Sequence, residues 1–448
     1  MKQNSARFSF VLFLLVVLIS VIAGCARFSH SGMMGDREDF EVWLVDQSNS
    51  PGLAYGGTLY IYDGSDLTGS NSASTAPKSV IILSEKTDEL CFQETGAHAV
   101  RPHMLLFNAA QTHAILSYVA SGHVVIMDAA TRAPVACFQT SVGAGGARQA
   151  HAAVPAPDDS YILVANQNGK RLERIDTNYR TNTFVLNADA MLDLAACVTP
   201  NGNPCQSPEM RPDNAPICPI IDSSSARAFV TLRGGGLLVV NGKSSPMTIL
   251  AEYDKGVVHG NGCGGVEAGG AMFINSGGAT SANLDEFDLY KFPLSGYAPS
   301  NPPNVPAPTV VFSDDGAPNR DSHGMAVDKK EKYLWVADRA GNLIEVFDVK
   351  SNKRVNTVRI AGAESADPTP DLADISPSGE HLFLSLRGPN PLSGDPHAST
   401  GGTPGIGVVE VMEGGKSGMV KRVVKIQNID AGGVERADAH AIRVRRVQ

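Results

Sequence analysis

Seven short segments of the sequence place a potential metal ligand at the same point of a repeated pattern. In each segment one His, Cys or Asp lies between small or apolar neighbours at the start of a mainly apolar run. In chain order the seven residues are His103, His151, Cys218, Cys263, His323, Asp374 and His440. Imidazole, thiolate and carboxylate groups all bind transition metals, and imidazole especially suits copper, zinc, iron and nickel. The pattern predicts one metal site if the fold brings these positions together.

Arginines accompany these positions at regular spacing. Four of them precede the four histidines by two to four residues, and three others lie at short turns between apolar runs. The set is Arg101, Arg148, Arg233, Arg320, Arg339, Arg387 and Arg436. Guanidinium groups suit carboxylates, phosphates and other oxyanions. We therefore expect a basic rim beside the metal site, able to hold a small anionic ligand.

A repeated unit of roughly 40 residues orders these features. Segments 101–140 and 322–360 each contain four short apolar runs separated by turn residues, which is the size and pattern of one propeller blade. Similar units begin near Gln149, Ala215, Gly260 and Leu372. A seventh combines "EVWLVDQ", "GTLYIYD" and "SVIIL" near the N-terminus with "DAHAIRVRRV" at the C-terminus. The sequence therefore predicts an all-β, seven-bladed β-propeller over residues 40–448, closed by strands from both termini.

The propeller architecture explains why seven separate residues could form one site. The first strand of each blade lines the central channel, so equivalent positions on these strands form a ring around the axis. The turns that carry Arg233, Arg339 and Arg387 would share one rim with the Arg-His pairs. We accordingly expect the ligand-type residues around the channel and the arginines at its mouth.

The repeats resemble the YVTN repeats of bacterial β-propellers. In "SYVASGHVVIMDAATRAPVACFQT" and "LWVADRAGNLIEVFDVKSNKRVNTV" a strand runs into a small-polar-Gly turn, and the next strand closes in Asp. This resemblance implies the fold and no particular chemistry. Nitrous oxide reductase and methanethiol oxidase are propellers that place histidines and copper centrally, and the expected ring is similar to theirs in geometry alone.

Three insertions rich in Pro, Gly, Ser and Asn interrupt the repeats at about 188–216, 276–309 and 388–404. Their composition predicts loops between or within blades. The second insertion contains four aromatic residues: Phe287, Tyr290, Phe292 and Tyr297. Exposed on a loop, they would suit a contact surface for another protein.

The first 25 residues resemble a bacterial lipoprotein signal. Lys2 and Arg7 precede an apolar run over 8–22, and two small residues then precede Cys25. The resemblance implies that residues 1–24 are removed, that Cys25 carries a lipid, and that 25–39 form a tether. It also implies an exported protein anchored in a membrane and facing the periplasm or the cell exterior.

The remaining six cysteines are an even number, and an exported protein can pair them in disulfides. Cys197 and Cys205 flank a turn-rich stretch that a disulfide could close. Cys218 and Cys263 could form a disulfide between adjacent blades instead of binding metal. The other pairings stay open.

Charge and motif content exclude several functions. The chain has 37 Lys and Arg against 46 Asp and Glu, a formal net charge of −9, and no basic block suited to a nucleic acid partner. It lacks Cys-x-x-Cys-His, His-Glu-x-x-His and Gly-x-Ser-x-Gly motifs. The leading hypothesis is a lipid-anchored propeller that binds a transition metal, copper first, and supports redox chemistry on a small anionic ligand.

Three alternatives remain open at this point. The first is a non-enzymatic envelope scaffold that binds a protein partner or an anionic ligand. The second is a lactone or anionic-cofactor enzyme in which one histidine acts as acid or base. In the third, His103, His151, His323 and His440 are structural polar residues and bind no ligand.

Overall fold

The computed structural model describes residues 39–69, 76–260, 262–277, 286–300, 305–314, 317–392 and 400–447. The expected signal peptide, Cys25 and nearly all of the tether lie outside these residues. In the described ranges, no helix has the length and apolar character needed to cross a membrane.

Seven four-stranded antiparallel sheets form the fold. Blade 1 pairs β28 (Ala439–Arg446) with β1 (Phe40–Asp46), followed by β2 (Thr58–Asp63) and β3 (Ser79–Ile82). Blade 2 contains β4 (Pro102–Phe107), β5 (His113–Tyr118), β6 (His123–Asp128) and β7 (Pro134–Gln139). Blade 3 contains β8 (Ala150–Pro155), β9 (Tyr161–Asn166), β10 (Arg171–Asn178) and β11 (Thr183–Asp193). Blade 4 contains β12 (Pro216–Ile221), β13 (Arg227–Leu232), β14 (Leu237–Asn241) and β15 (Thr248–Tyr253).

The remaining three blades follow in chain order. Blade 5 contains β16 (Gly265–Ala268), β17 (Ala271–Gly277), β18 (Phe287–Pro293) and β19 (Thr309–Ser313). Blade 6 contains β20 (Ser322–Val327), β21 (Tyr333–Asp338), β22 (Leu343–Asp348) and β23 (Lys353–Arg359). Blade 7 contains β24 (Pro370–Ile375), β25 (His381–Leu386), β26 (Gly405–Met412) and β27 (Ser417–Lys425). Short helices cover Gly64–Thr68 and Lys86–Thr95. The predicted seven-bladed propeller is confirmed, including the blade closed by strands from both termini.

The second strands of the blades are buried on both faces because a neighbouring blade packs on each side. All six residues of β9 are buried, and their side chains alternate between two interblade cores. Ile162 belongs to the core that includes Ile115 of blade 2, whereas Leu163 belongs to the core that includes Val230 of blade 4. This alternation fixes the strand register and keeps each inner strand at the channel.

The insertion predicted as a loop at about 276–309 contains a β-strand, β18. Phe287, Tyr290 and Phe292 lie on β18 and are at most 2% exposed, so they pack in interblade cores and offer no contact surface. Asp288 and Lys291 interrupt the apolar run, which hid the strand in the sequence.

Three disulfides pair all six cysteines of the described chain: Cys91–Cys137, Cys197–Cys205 and Cys218–Cys263. The predicted Cys197–Cys205 bridge is confirmed. Cys91 lies on the helix Lys86–Thr95, and its disulfide joins this helix to Cys137 on β7. Three disulfides are typical of proteins that fold in an oxidising compartment.

His123 is not among the seven predicted ligand residues and has a structural role. It is fully buried on β6, where Nδ1 lies 2.8 Å from Ser121 Oγ and Nε2 lies 2.9 Å from Thr95 Oγ1. Burial lowers the pKa of His123 to about 4. The folded protein therefore holds this ring in its neutral form at pH 7.

We expect this histidine to make folding stability depend on pH. Its pKa is lower in the folded protein than the usual 6.5, so its stabilising contribution is complete above pH 6.5 and is lost as the pH falls towards 4. The loss should reach about 3 kcal/mol relative to a His123→Gln variant. Chemical denaturation across this pH range measures the difference, and NMR titration reports the pKa directly. A ring that titrates near 6.5 would contradict the prediction.

Candidate metal centre

The inner strands β4, β8, β20 and β28 bring the four predicted histidines together. The ring centroids of His103 and His440 are 3.7 Å apart, those of His103 and His151 are 4.6 Å apart, and those of His323 and His440 are 5.7 Å apart. His103, His323 and His440 are at most 9% exposed. Four imidazoles from four blades thus share one cluster, in which His151 is the most exposed member. We call this cluster the channel ring.

The acidic member of the channel ring is Asp371 and not Asp374 as the sequence predicted. In β24, Pro370 pairs with Leu386 just as Pro102 of β4 pairs with Tyr118, and a β-bulge follows in both strands. The residue after the proline, Asp371, is therefore equivalent to His103. One ligand atom from each of His323, Asp371 and His440 lies within 4.8 Å of the others.

Asp374 lies three residues further along the same strand. Its carboxylate accepts hydrogen bonds from the backbone N–H groups of Val444 and Ile375, at 2.8 and 2.9 Å. The sequence alignment matched Ala-Asp-Ile to the Ala-His-Ala of other blades. The true counterpart in β24 is Pro370-Asp371-Leu372, which corresponds to Pro102-His103-Met104 of β4.

The two predicted cysteine ligands form a disulfide with each other. Cys218 and Cys263 do come within 4.8 Å of a ring nitrogen of His151, but a disulfide offers no thiolate to a metal. Cys218 also lies one residue beyond the ring position, because the Ile217 carbonyl accepts from His151 Nδ1 as the His103 carbonyl accepts from His440 Nδ1. The disulfide therefore links blade 4 to blade 5, and neither cysteine is a metal ligand.

A chain of hydrogen bonds fixes the tautomer of His103. Gln47 Nε2 donates to Asp438 Oδ2 at 2.6 Å, so the amide oxygen of Gln47 faces the ring. His103 Nδ1 lies 2.8 Å from this oxygen and must donate to it. The neutral ring consequently carries its lone pair on Nε2, and this buried atom has no hydrogen-bond partner in the described part of the chain.

Two more rings are oriented in the same way. His440 Nδ1 donates to the backbone carbonyl of His103 at 3.1 Å, and His151 Nδ1 donates to that of Ile217 at 3.1 Å. His323 Nδ1 lies 2.6 Å from Asp371 Oδ1, within ion-pair distance although not aligned for a hydrogen bond. With Nδ1 held by a protein oxygen, a neutral ring presents its lone pair at Nε2.

The protonation states of the channel ring suit metal binding. Burial lowers the pKa values of His103 and His440 well below 6.5, and neighbouring imidazoles lower them further. Burial alone would raise the pKa of Asp371, but His440, His323 and the nearby guanidinium groups outweigh it and hold this pKa well below its usual range. At neutral pH His103 and His440 are therefore neutral and Asp371 is ionised, which are the forms that bind metals.

Two predicted rim arginines are buried beside the ring and belong to an ion chain. Arg387 Nε lies 2.7 Å from Asp438 Oδ1, and its NH1 lies 3.0 Å from Asp371 Oδ2. Arg339 Nε lies 2.7 Å from Asp321 Oδ2, and its NH1 lies 3.4 Å from Asp371 Oδ1. Three carboxylates thus face two guanidinium groups. These five side chains carry a formal net charge of −1, which favours a cation over an anion.

The remaining predicted arginines do not form a concentrated basic rim. Arg233 pairs with Asp213 at 2.6 Å, Arg320 with Asp338 at 3.0 Å, and Arg436 with Asp430 at 2.8 Å. Arg101 donates to the backbone carbonyl of Leu392 at 2.7 Å, and Arg148 lies just before β8. Five of the seven arginines are thus paired with carboxylates, which corrects the expectation of a strongly basic mouth.

Sequence reasoning missed four residues that shape this site: Gln47, Asp321, Asp371 and Asp438. A signal existed for two of them, since an Asp stands two residues before both His323 and His440. Gln47 had no such signal, because it meets Asp438 across 391 positions of the chain.

No protein-family model and no curated protein sequence matches this chain. Solved structures do resemble it. A hypothetical selenium-binding protein from Sulfolobus tokodaii matches with a TM-score of 0.59 and 10% identity, covering 91% of this chain and 93% of that one. The chain has the β-propeller fold.

Two sugar-lactonase structures lead to the same conclusion about the fold. A putative 6-phosphogluconolactonase from Bacteroides uniformis matches with a TM-score of 0.56 and 12% identity, covering 91% of this chain and all of that one. The periplasmic gluconolactonase of Pseudomonas aeruginosa matches with a TM-score of 0.53 and 13% identity, covering 91% and 100%. Identities this low show a shared fold and not a shared activity.

Proposed function

We propose that the channel ring binds one transition-metal ion through Nε2 of His103, His323 and His440, with His151 as a further imidazole beside them. The orientation of the rings carries this proposal. Protein oxygens accept hydrogen bonds from Nδ1 of His103 and of His440, which is the arrangement that second-shell partners impose on metal-binding histidines. The Asp371 carboxylate lies 2.6 Å from Nδ1 of His323.

The spacing of the rings supports a shared ion. Since metal–nitrogen bonds are about 2.0–2.1 Å long, two imidazoles on one ion have centroids about 4.5–5.5 Å apart. The 4.6 Å between His103 and His151 lies within this range, and the 5.7 Å between His323 and His440 lies just above it. The 3.7 Å between His103 and His440 requires these two rings to separate slightly when the ion enters.

Copper is our first candidate for the ion. Imidazole ligands suit copper, and Cu²⁺ forms the strongest complexes among the divalent first-row metals at such sites. The net negative arc of Asp321, Asp371 and Asp438 with its two arginines supports a cation there. We propose that a copper ion held by these imidazoles would bind a small anionic ligand and would supply one-electron redox chemistry by changing between Cu²⁺ and Cu⁺.

Export and lipid anchoring belong to the same proposal. The three disulfides suit an oxidising compartment, and the signal-like segment before Cys25 supports a lipid anchor. The centre would then work at a membrane surface, outside the reducing cytoplasm.

Elemental analysis of the full chain tests the metal proposal. After export to the periplasm and dialysis against a weak chelator, we expect about one copper ion per chain, because a preoriented imidazole set binds metal tightly. Copper, zinc, iron and manganese offered together should leave copper bound in excess. Another metal at full occupancy that is lost in a His103→Ala variant would overturn the assignment of copper. Absence of any stoichiometric metal would overturn the site and favour the scaffold hypothesis.

A further inference from the structure

Blade 5 contains a second cluster of ligand-type side chains that shares no residue with the channel ring. His259 precedes β16, Glu286 precedes β18, and Asp288 lies on β18. His259 Nδ1 lies 2.7 Å from Asp288 Oδ2 and 3.7 Å from Glu286 Oε1. The side chains of both acids are at most 5% exposed. One ligand atom of each residue therefore lies within 4.8 Å of the others in a buried setting.

Asp288 has a buried carboxylate oxygen whose hydrogen-bonding capacity is not used within the described residues. Its Oδ2 atom accepts from the Tyr290 hydroxyl at 3.0 Å and contacts His259, whereas Oδ1 has no hydrogen-bond partner in the described chain although Asp288 is 99% buried. A buried carboxylate oxygen without a partner is costly. A cation would satisfy it.

Blade 6 also contains a buried carboxylate, but there arginines compensate its charge. Glu345 on β22 is 1% exposed and receives two guanidinium groups, those of Arg320 and Arg354, both at 3.0 Å. In the described residues no Lys or Arg lies within ion-pair distance of Asp288. Within the described ranges, the only charged partner of Asp288 is His259, which is cationic only when protonated. The fold therefore compensates one buried acid with arginines and leaves the other open to a metal ion.

We propose that His259, Glu286 and Asp288 bind a divalent cation of the Mn²⁺ type. Two carboxylates favour an oxygen-seeking ion, and one imidazole shifts the preference from Ca²⁺ and Mg²⁺ towards Mn²⁺. The Nε2–H tautomer of His259 presents its Nδ1 lone pair to the ion, which then replaces the present contact between His259 and Asp288. The ion ties the segment before β16 to β18 and so stabilises blade 5.

Titration of the metal-free full chain with Mn²⁺, followed by electron paramagnetic resonance of the free ion, tests this site. We expect one Mn²⁺ per chain in the wild type and an affinity at least about 10-fold lower in Asp288→Asn, which removes the charge and keeps the shape. Asp430→Asn is the control, because it removes a carboxylate that is about one-third exposed and lies outside this cluster. The control should bind Mn²⁺ like the wild type.

Two outcomes would overturn the proposal. One is a wild-type chain that takes up no Mn²⁺, and the other is an Asp288→Asn variant that binds Mn²⁺ as tightly as the wild type. Should Asp288→Asn not fold, His259→Ala gives the same test, since that side chain is 35% exposed and its loss is better tolerated. Neither result depends on copper binding in the channel ring, because the two sites share no residue.

Discussion

Replacing Arg387 with alanine is expected to destabilise the folded protein by about 3–5 kcal/mol. The guanidinium group is 1% exposed and forms ion pairs with Asp371 and Asp438, each of which is fully buried. Without it, two buried carboxylates lose their closest positive charge and several hydrogen bonds. The loss reflects the uncompensated charges left behind more than the net contribution of the intact network, since burying the charges has its own cost.

Denaturant unfolding followed by tryptophan fluorescence measures this effect, because Trp43 and Trp335 are at most 1% exposed. Arg233→Ala is the matched control. Arg233 forms an ion pair with Asp213 at 2.6 Å, but both side chains are about one-third exposed, so the expected cost is only about 0–1 kcal/mol. Equal losses in the two variants would show that burial of the ion chain does not matter.

The fold could be predicted because a propeller repeats one local pattern seven times. Short apolar runs, turn residues and closing aspartates in segments such as 101–140 describe a complete blade without reference to distant residues. β18 was not predicted, because Asp288 and Lys291 interrupt its apolar residues and make a buried strand resemble a loop. Its buried carboxylate is understandable only once the neighbouring His259 and Tyr290 are in place.

The candidate site was predictable only where it follows the repeat. His103, His151, His323 and His440 occupy similar positions in their blades, and the structure brings them together. Asp371 was missed because β24 contains two acidic residues, and Ala373-Asp374-Ile375 resembles the Ala-His-Ala segments of other blades more than Pro370-Asp371-Leu372 does.

The predicted positive charge at the rim of the channel was wrong because the sequence does not show which residues pair with the arginines. A sequence counts arginines but does not show their partners, and the partners of Arg339 and Arg387 come from neighbouring blades as well as their own. An expected basic rim therefore became a buried ion chain with one excess negative charge. The same arginines that suggested an anion site help to keep Asp371 ionised and so favour a cation.

Removing a ring imidazole should weaken metal binding far more than any change outside the ring. We expect His103→Ala to lower the affinity for Cu²⁺ by at least about 100-fold, because the loss of an outer-shell partner alone costs about 10–100-fold. His381→Ala is the control, since His381 lies outside the channel ring and is partly exposed on β25. Competition with a chelator of known affinity measures all three proteins, and equal affinities would exclude His103 as a ligand.

The hydrogen-bond partner of His103 separates a metal ligand from a merely buried histidine. Gln47→Leu keeps the imidazole but removes the oxygen that holds Nδ1–H, now 2.8 Å away. Nitrogen-15 NMR of the metal-free wild type should show the His103 proton on Nδ1, and the variant should lose this preference. If Nε2 is the ligand atom, the affinity for Cu²⁺ should fall about 10–100-fold together with the change of tautomer. A changed tautomer with unchanged copper affinity would mean that the Gln47 contact is structural, and that His103 Nε2 does not bind the ion.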